Sequence, residues 1–204
     1  MVGRSVEGRA IRAVRVGDPT AERKALVVGS MHGDEPAGVR ITRALRSMDV
    51  TGVDLWVIEA VNPDGLRRRT RGNARGVDLN RNFPHHWRRG PRGRYWGGPR
   101  PLSEPESRAV RDLVRRLKPQ VSIWYHQPWN AVLDCGGDPV RRRYAQRAGM
   151  RRQCRGRGLP GTVVGWQNAR HAGTSAFVVE LAAGAIGARA ARRHARAVIS
   201  VAAP

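Results

Sequence analysis

Lysine and cysteine are almost missing from this 204-residue chain, with Lys24 and Lys118 the two lysines and Cys135 and Cys154 the two cysteines. Two cysteines without C-x-x-C spacing exclude a disulfide framework and argue against a thiolate metal site. Unpaired thiols are the expectation, with a single bridge as the alternative. Aromatic residues are few, at six Trp, three Tyr and two Phe, so the chain lacks a ladder of rings for stacking bases. No apolar run reaches the ~18 residues needed to cross a bilayer. The opening Met1-Val2-Gly3-Arg4-Ser5-Val6-Glu7 lacks the charged-then-apolar order of a signal peptide. A cytoplasmic location is therefore expected, or the cell envelope or exterior if the native start is longer. Acidic residues are also scarce, 16 Asp+Glu against 38 Lys+Arg, for a net charge of +22. Such basicity suggests an anionic partner. The arginines are dispersed, however, which fits a solvated surface, and neither nucleic acid nor a membrane is expected as a partner. Repeats, low-complexity linkers and composition breaks are absent as well. One domain over residues 1–204 is the economical expectation, and 40% hydrophobic residues exclude a disordered chain.

What is present is an alternation of strand and helix patterns. Residues 9–16 and 24–30 read as strands, the second continuous and apolar through Ala25-Leu26-Val27-Val28, as for a strand buried on both faces. A helix follows from Pro36, with Ala37, Ile41, Ala44, Leu45 and Met48 on one face. Residues 53–61 read as a strand closed by the turn Asn62-Pro63-Asp64-Gly65. A polar, glycine-rich stretch over residues 66–100 has no periodicity, and loops of that length are usually functional. Ser103 and Glu106 have capping-box spacing, placing Ser103 at the cap of a helix buried through Ala109, Val110, Leu113, Val114 and Leu117. Strands are expected at 121–125 and 175–181, and helices at 139–152 and along Ile186, Ala190, Val198 and Val201. Arg189, Arg192, Arg193 and Arg196 belong on the wet side of that last helix. The pattern predicts an α/β fold: a single domain with a mixed, mostly parallel sheet and helices on both faces.

Ligands in open α/β sheets gather where strands end. His32-Gly33-Asp34-Glu35 follows the apolar strand at 24–30, and His126 ends the strand at 121–125. Two His and one Glu with one open position are the pattern of a catalytic zinc site. Between them lie Asn62-Pro63-Asp64-Gly65, then Arg71-Gly72-Asn73, then Gly76-Val77-Asp78-Leu79-Asn80-Arg81-Asn82-Phe83-Pro84, and Phe177-Val178-Val179-Glu180-Leu181 closes the series.

In this order the pieces closely resemble the zinc carboxypeptidases of the carboxypeptidase A type, above all the bacterial murein peptide amidase A group. The resemblance runs from about residue 26 to residue 182. It implies one Zn2+ held by His32, Glu35 and His126, and a metallopeptidase that cleaves an amide bond beside a free carboxylate. Glu180 is then the general base and Arg71 the oxyanion-stabilising group, with Arg68 as the alternative arginine. Asn80 and Arg81 would grip the substrate's terminal carboxylate, and Asp78 would orient His32. Within the group the bond joins γ-D-glutamate to meso-diaminopimelate in a peptidoglycan-derived peptide. The larger carboxypeptidases also carry a mobile tyrosine between the third ligand and the catalytic Glu; here Tyr144 comes too early, leaving Trp166 or His171 to fill part of that role, or no residue at all. Two alternatives share some of these features. One is an N-acyl amino acid deacylase resembling aspartoacylase and succinylglutamate desuccinylase. The other is a non-catalytic cationic protein that binds wall polymer.

Overall fold

A computed structural model describes residues 1–156 and 158–203. The chain opens with a two-stranded hairpin, β1 (Gly3–Arg4) and β2 (Ala10–Ile11). It continues through β3 (Ala13–Arg15), β4 (Lys24–Val28), α1 (Ala37–Arg46), β5 (Asp54–Ile58), α2 (Pro63–Arg68) and a 3-10 turn at Leu79–Arg81. Then come α3 (Pro105–Leu117), β6 (Val121–His126), β7 (Trp129–Leu133), α4 (Pro139–Ala148) and β8 (Arg151–Gln153). The last elements are α5 (Val163–Arg170), β9 (Ser175–Ala182) and α6 (Ala188–Ala202). Seven strands form one mixed sheet in the order β3-β5-β4-β6-β9-β7-β8. β5, β4, β6 and β9 run parallel, while β3 and β7 pair antiparallel to β5 and β9.

The continuous apolar strands are the central ones because helices cover both of their faces. Ala25 and Val27 of β4 and Ile123 and Tyr125 of β6 pack with α1, α4 and α6 through Ile41, Leu45, Tyr144, Ala195 and Val198. The alternate residues Leu26, Val28 and Trp124 face α3 and α5 through Val110, Leu113, Val114, Val163 and Trp166. Full burial of a side chain such as Leu113 is worth about 1.5–3 kcal/mol, which holds each helix to its face. Arg189, Arg192, Arg193 and Arg196 are exposed on α6, as its pattern predicts, while Ile186 lies ahead of the helix. No helix among the described residues is long and apolar enough to cross a membrane.

Local structure departs from expectation in several places: the turn read at 62–65 opens α2, and β7 and α5 form where no element is expected. The strand at 9–16 is split into β2 and β3. The cap of α3 is Glu104, extended at φ −91°, with Pro105 next and no side-chain cap hydrogen bond. Proline disfavours a helical residue before it and suits the first helical position. Ser103 instead donates to Glu104 Oε1 at 2.7 Å. The helix expected over 139–152 stops at Ala148, where Gly149 takes the left-handed conformation (φ 67°), and Arg151–Gln153 becomes β8. Finally, Cys135 and Cys154 form a disulfide instead of standing unpaired. β7 and β8 are parallel neighbours with Leu133 opposite Gln153, so the chain leaves both strands side by side and brings the two thiols into bonding range.

Candidate active site

Because β4, β6 and β9 are parallel, their C-terminal ends reach one edge of the sheet. Beyond β4 the chain turns through His32 and Glu35 into α1; β6 ends on His126; β9 places Glu180 opposite His126 in register. The turn presses against Asn62-Pro63-Asp64-Gly65. A Cβ on Gly33 would lie 1.9 Å from the Gly65 carbonyl carbon, so glycine alone fits. Asn62 caps α2 by accepting from Gly65 N at 2.8 Å, and its amide donates to Gly72 O at 3.1 Å, which sets the path of Arg71. Asn73 donates to the buried carboxylates of Glu104 and Glu106, fixing the same loop to α3. Asn82 binds Gly97 O at 2.7 Å and Arg100 O at 3.1 Å, closing the stretch that carries Asn80 and Arg81.

His32 Nδ1 lies 2.9 Å and His126 Nδ1 2.8 Å from Glu35 Oε2, and the two ring nitrogens are 3.1 Å apart. One candidate ligand atom from each residue falls within 4.8 Å of the others. A tetrahedral zinc with bonds of about 2.0–2.1 Å spaces its ligands by roughly 3.3 Å, so these residues fit that ion in number, type and spacing. The opposite nitrogen of His32, Nε2, donates to Asp78 Oδ1 at 2.9 Å, a pairing that leaves Nδ1 free as a ligand. Asp78 also accepts from Asn80 N and from Arg71 Nε, each at 2.9 Å. Arg71 Nη1 donates to Glu35 Oε1 at 2.9 Å.

These contacts set the charges. Burial alone would raise the Glu35 and Asp78 carboxyls. The histidine hydrogen bonds, with Arg71 beside Asp78, outweigh it and hold both well below the usual range. Burial lowers His126, whereas Asp78 and Glu35 overcome burial at His32 and raise it. Glu180 behaves oppositely to the other carboxylates. Burial, then the Glu35 charge, pushes it up to about 7, and its Oε2 has no hydrogen-bond partner among the described residues.

All of these groups except Asp78 line one cavity of about 930 Å³, together with Asn80 and Arg81. Asp78 lies beneath them, fully buried. Asn80 accepts from Val163 N at 3.1 Å, and its amide nitrogen lies 3.5 Å from His126 Nε2. Arg81 donates to Asn80 O at 2.7 Å. Arg68 is remote, at the surface with Glu7, so Arg71 is the arginine brought to the ligand cluster. Trp166 and His171 do not line the cavity. Trp166 is buried against Phe83, and His171 meets its edge. The tyrosine at the site is Tyr95, 61% exposed, with Arg71 and Arg81 at 5.1 and 5.6 Å from its ring. Tyr95 belongs to the glycine-rich stretch before α3 and so lies outside the interval between His126 and Glu180.

Residues 1–134 match the zinc carboxypeptidase family. The chain belongs to that family. Murein peptide amidase A of Escherichia coli K12 is 35% identical over 131 residues, covering 57% of this chain and 54% of that protein. Carboxypeptidase B of Astacus astacus is 27% identical over 164 residues, 63% of this chain and 54% of that protein. The chain thus spans about half the length of these curated relatives. Among solved structures, the murein-tripeptide amidase of Escherichia coli O157 superposes with a TM-score of 0.82 at 27% identity, over 98% of this chain and 89% of that one. The carboxypeptidase A of Helicoverpa armigera gives 0.80 at 18% identity, over 98% and 66%, a likeness of fold. The α/β architecture read from the sequence is that of these zinc carboxypeptidases.

Proposed function

We propose that this chain is a zinc-dependent metallopeptidase that hydrolyses an amide bond next to a free carboxylate. Its substrate is a peptidoglycan-derived peptide, and the bond is that between γ-D-glutamate and meso-diaminopimelate. The observation that carries the reading is the position of Glu180, buried, with Oε2 unpaired among the described residues, and in register with His126 at the mouth of a His–Glu–His cluster. His32 Nδ1, His126 Nδ1 and Glu35 would hold one zinc ion, which would supply Lewis-acid chemistry at the scissile carbonyl. Glu180 takes a proton from the attacking water and delivers it to the leaving nitrogen. Arg71 spends Nε on Asp78 and Nη1 on Glu35, and its remaining N–H groups donate to the developing oxyanion. Arg81 and Asn80 hold the terminal carboxylate, which suits the planar donor fork of a guanidinium. Asp78 keeps His32 in the tautomer that presents Nδ1.

The Cys135–Cys154 bridge supports action in an oxidising compartment, where disulfides persist, over the cytoplasm. The names of the murein peptide amidase relatives support a murein peptide as the substrate, and the net charge of +22 favours capture of an acidic peptide. The test is incubation of zinc-loaded protein with L-Ala-γ-D-Glu-meso-diaminopimelate, with products identified by mass spectrometry. Release of diaminopimelate is expected. An inert tripeptide together with cleavage of ordinary C-terminal L-peptides would overturn the substrate, and inertness towards both would overturn the activity.

A further inference from the structure

The cavity continues past the ligand cluster towards the start of β9, between Leu133, Val164, Gly165, Ala176 and Val178. These walls are apolar, and a charged side chain closes the floor. Arg141 of α4 reaches in with 20% of its side chain exposed. Its Nη2 donates to Ala176 O at 3.0 Å and its Nη1 approaches Leu133 O at 3.5 Å, which tethers the guanidinium to the strands on either side. Two carboxylates lie near it, and both are already committed. Asp134 has a fully buried side chain that accepts from Arg152 at 3.0 Å and from Gly136 N and Asp138 N. Asp138 caps α4 through Val140 N at 2.8 Å and accepts from Ser175 Oγ at 2.6 Å. Its Oδ2 pairs with Arg141 Nε at 3.3 Å, and that nitrogen forms no hydrogen bond among the described residues. At this floor the Arg141 guanidinium therefore keeps N–H groups on Nη1 and Nη2 beyond those turned towards Leu133 O and Ala176 O.

We propose that Arg141 reads a carboxylate at the far end of the substrate's C-terminal side chain. The inference rests on the peptidase reading for the direction of the peptide. With the terminal carboxylate on Arg81 and Asn80 and the scissile carbonyl beside Glu180, the C-terminal side chain points down this apolar shaft. Ala176 precedes Glu180 by four residues on β9, about 13 Å along a strand. A short acidic side chain does not span that depth. The fitting class is an amino acid whose aliphatic side chain of several methylenes ends in a carboxylate. The methylenes lie against Leu133, Val164 and Val178, and the carboxylate accepts from the guanidinium. Diaminopimelate is one member of the class, and lysine, equally long but cationic, is excluded by repulsion.

Two peptides of the form L-Ala-γ-D-Glu-X test this, one with X as 2-aminopimelate and one with X as 2-aminoheptanoate, which has the same carbon chain and no side-chain carboxylate. On the zinc-loaded enzyme the first is expected to exceed the second in kcat/KM by about 10- to 100-fold, the range for a hydrogen bond to a charged group, with the difference in KM. In Arg141→Gln that ratio falls to near one. Equal values on the native enzyme, or a preference that survives in Arg141→Gln, overturn the proposal. Calorimetry with the two free amino acids separates it from the peptidase reading. If neither peptide is cleaved but 2-aminopimelate binds the native protein selectively and Arg141→Gln does not discriminate, Arg141 stands and the peptidase reading falls. Equal or absent binding of both amino acids overturns Arg141.

Discussion

Exchange of Asp78 for asparagine leaves shape intact and alters only which atoms can accept. The native carboxylate, fully buried, accepts from His32 Nε2, Asn80 N and Arg71 Nε, all at 2.9 Å. An amide can serve only part of this set. With its oxygen towards His32 and Asn80, its NH2 meets Arg71 Nε, donor against donor. Turned over, the NH2 meets His32 Nε2 and drives the imidazole proton onto Nδ1, the atom that faces Glu35 and His126. A hydrogen bond to a charged group is worth about 1.5–3 kcal/mol, and loss of such a partner behind a ligating histidine costs about 10–100-fold in metal affinity. That factor equals about 1.4–2.8 kcal/mol, so the two routes agree. Zinc dissociation constants from chelator competition on native and Asp78→Asn protein measure the effect, with circular dichroism as the check on folding. A folded variant whose zinc affinity stays within about twofold of the native value refutes the argument that Asp78 sets the tautomer of His32.

Glu180→Gln is expected to lower hydrolysis by about 10²–10⁴-fold with zinc content unchanged; retention of a tenth or more of the native rate removes Glu180 as the base. Loss of the disulfide by Cys135→Ser with Cys154→Ser opens a link between residues 19 apart, costing about 3 kcal/mol and, for a domain of this size, about 6–12 °C in Tm. An unchanged melting curve refutes that stabilising role. His194 on α6, buried with Nδ1 2.8 Å from the Tyr144 hydroxyl, is lowered by burial and then by Arg193 to about 4. The unfolded chain takes up the proton first. His194 therefore favours the fold fully above its unfolded pKa of about 6.5, and that contribution, about 3 kcal/mol, is lost as pH falls towards 4. Denaturation at pH 7 and pH 5 should show a steeper loss for native protein than for His194→Asn, whose amide oxygen can accept from Tyr144; equal slopes count against it.

Legibility followed the source of each signal. β4, β6, β9 and the body of α3 announce themselves because their own residues are buried on both faces or on one helical stripe. β7 and β8 do not. Arg151-Arg152-Gln153 is a polar edge strand that exists because β7 lies beside it, and nothing local distinguishes it from the end of α4. α5, with two valines, a glycine and eight residues, has too little periodicity to read; its place is set by Thr162 capping Gly165 N and by Asn168 binding Ala176 on β9. The disulfide was hidden for the same reason, since it depends on two strands being neighbours. His32, Glu35 and His126 are legible as residues at or just beyond strand ends, whereas the roles given to them and to Glu180 rest on the resemblance of the whole motif series. Tyr95 and Arg141 are not legible, because one lies in an aperiodic loop and the other on a helix that looks wholly solvated until its guanidinium is traced to the cavity floor.

The near absence of lysine has a practical consequence. Lys24 opens β4, and Lys118 ends α3 just before β6; Gln120 N donates to Lys24 O, joining the two neighbourhoods. Both side chains thus sit where the parallel strands begin, while His126 and Glu180 lie towards the other end of β6 and β9. Apart from the α-amino group, these are the chain's only primary amines. Coupling through these two lysines therefore attaches the molecule to a bead or sensor surface by the end where the parallel strands begin and leaves the mouth of the cavity towards solution.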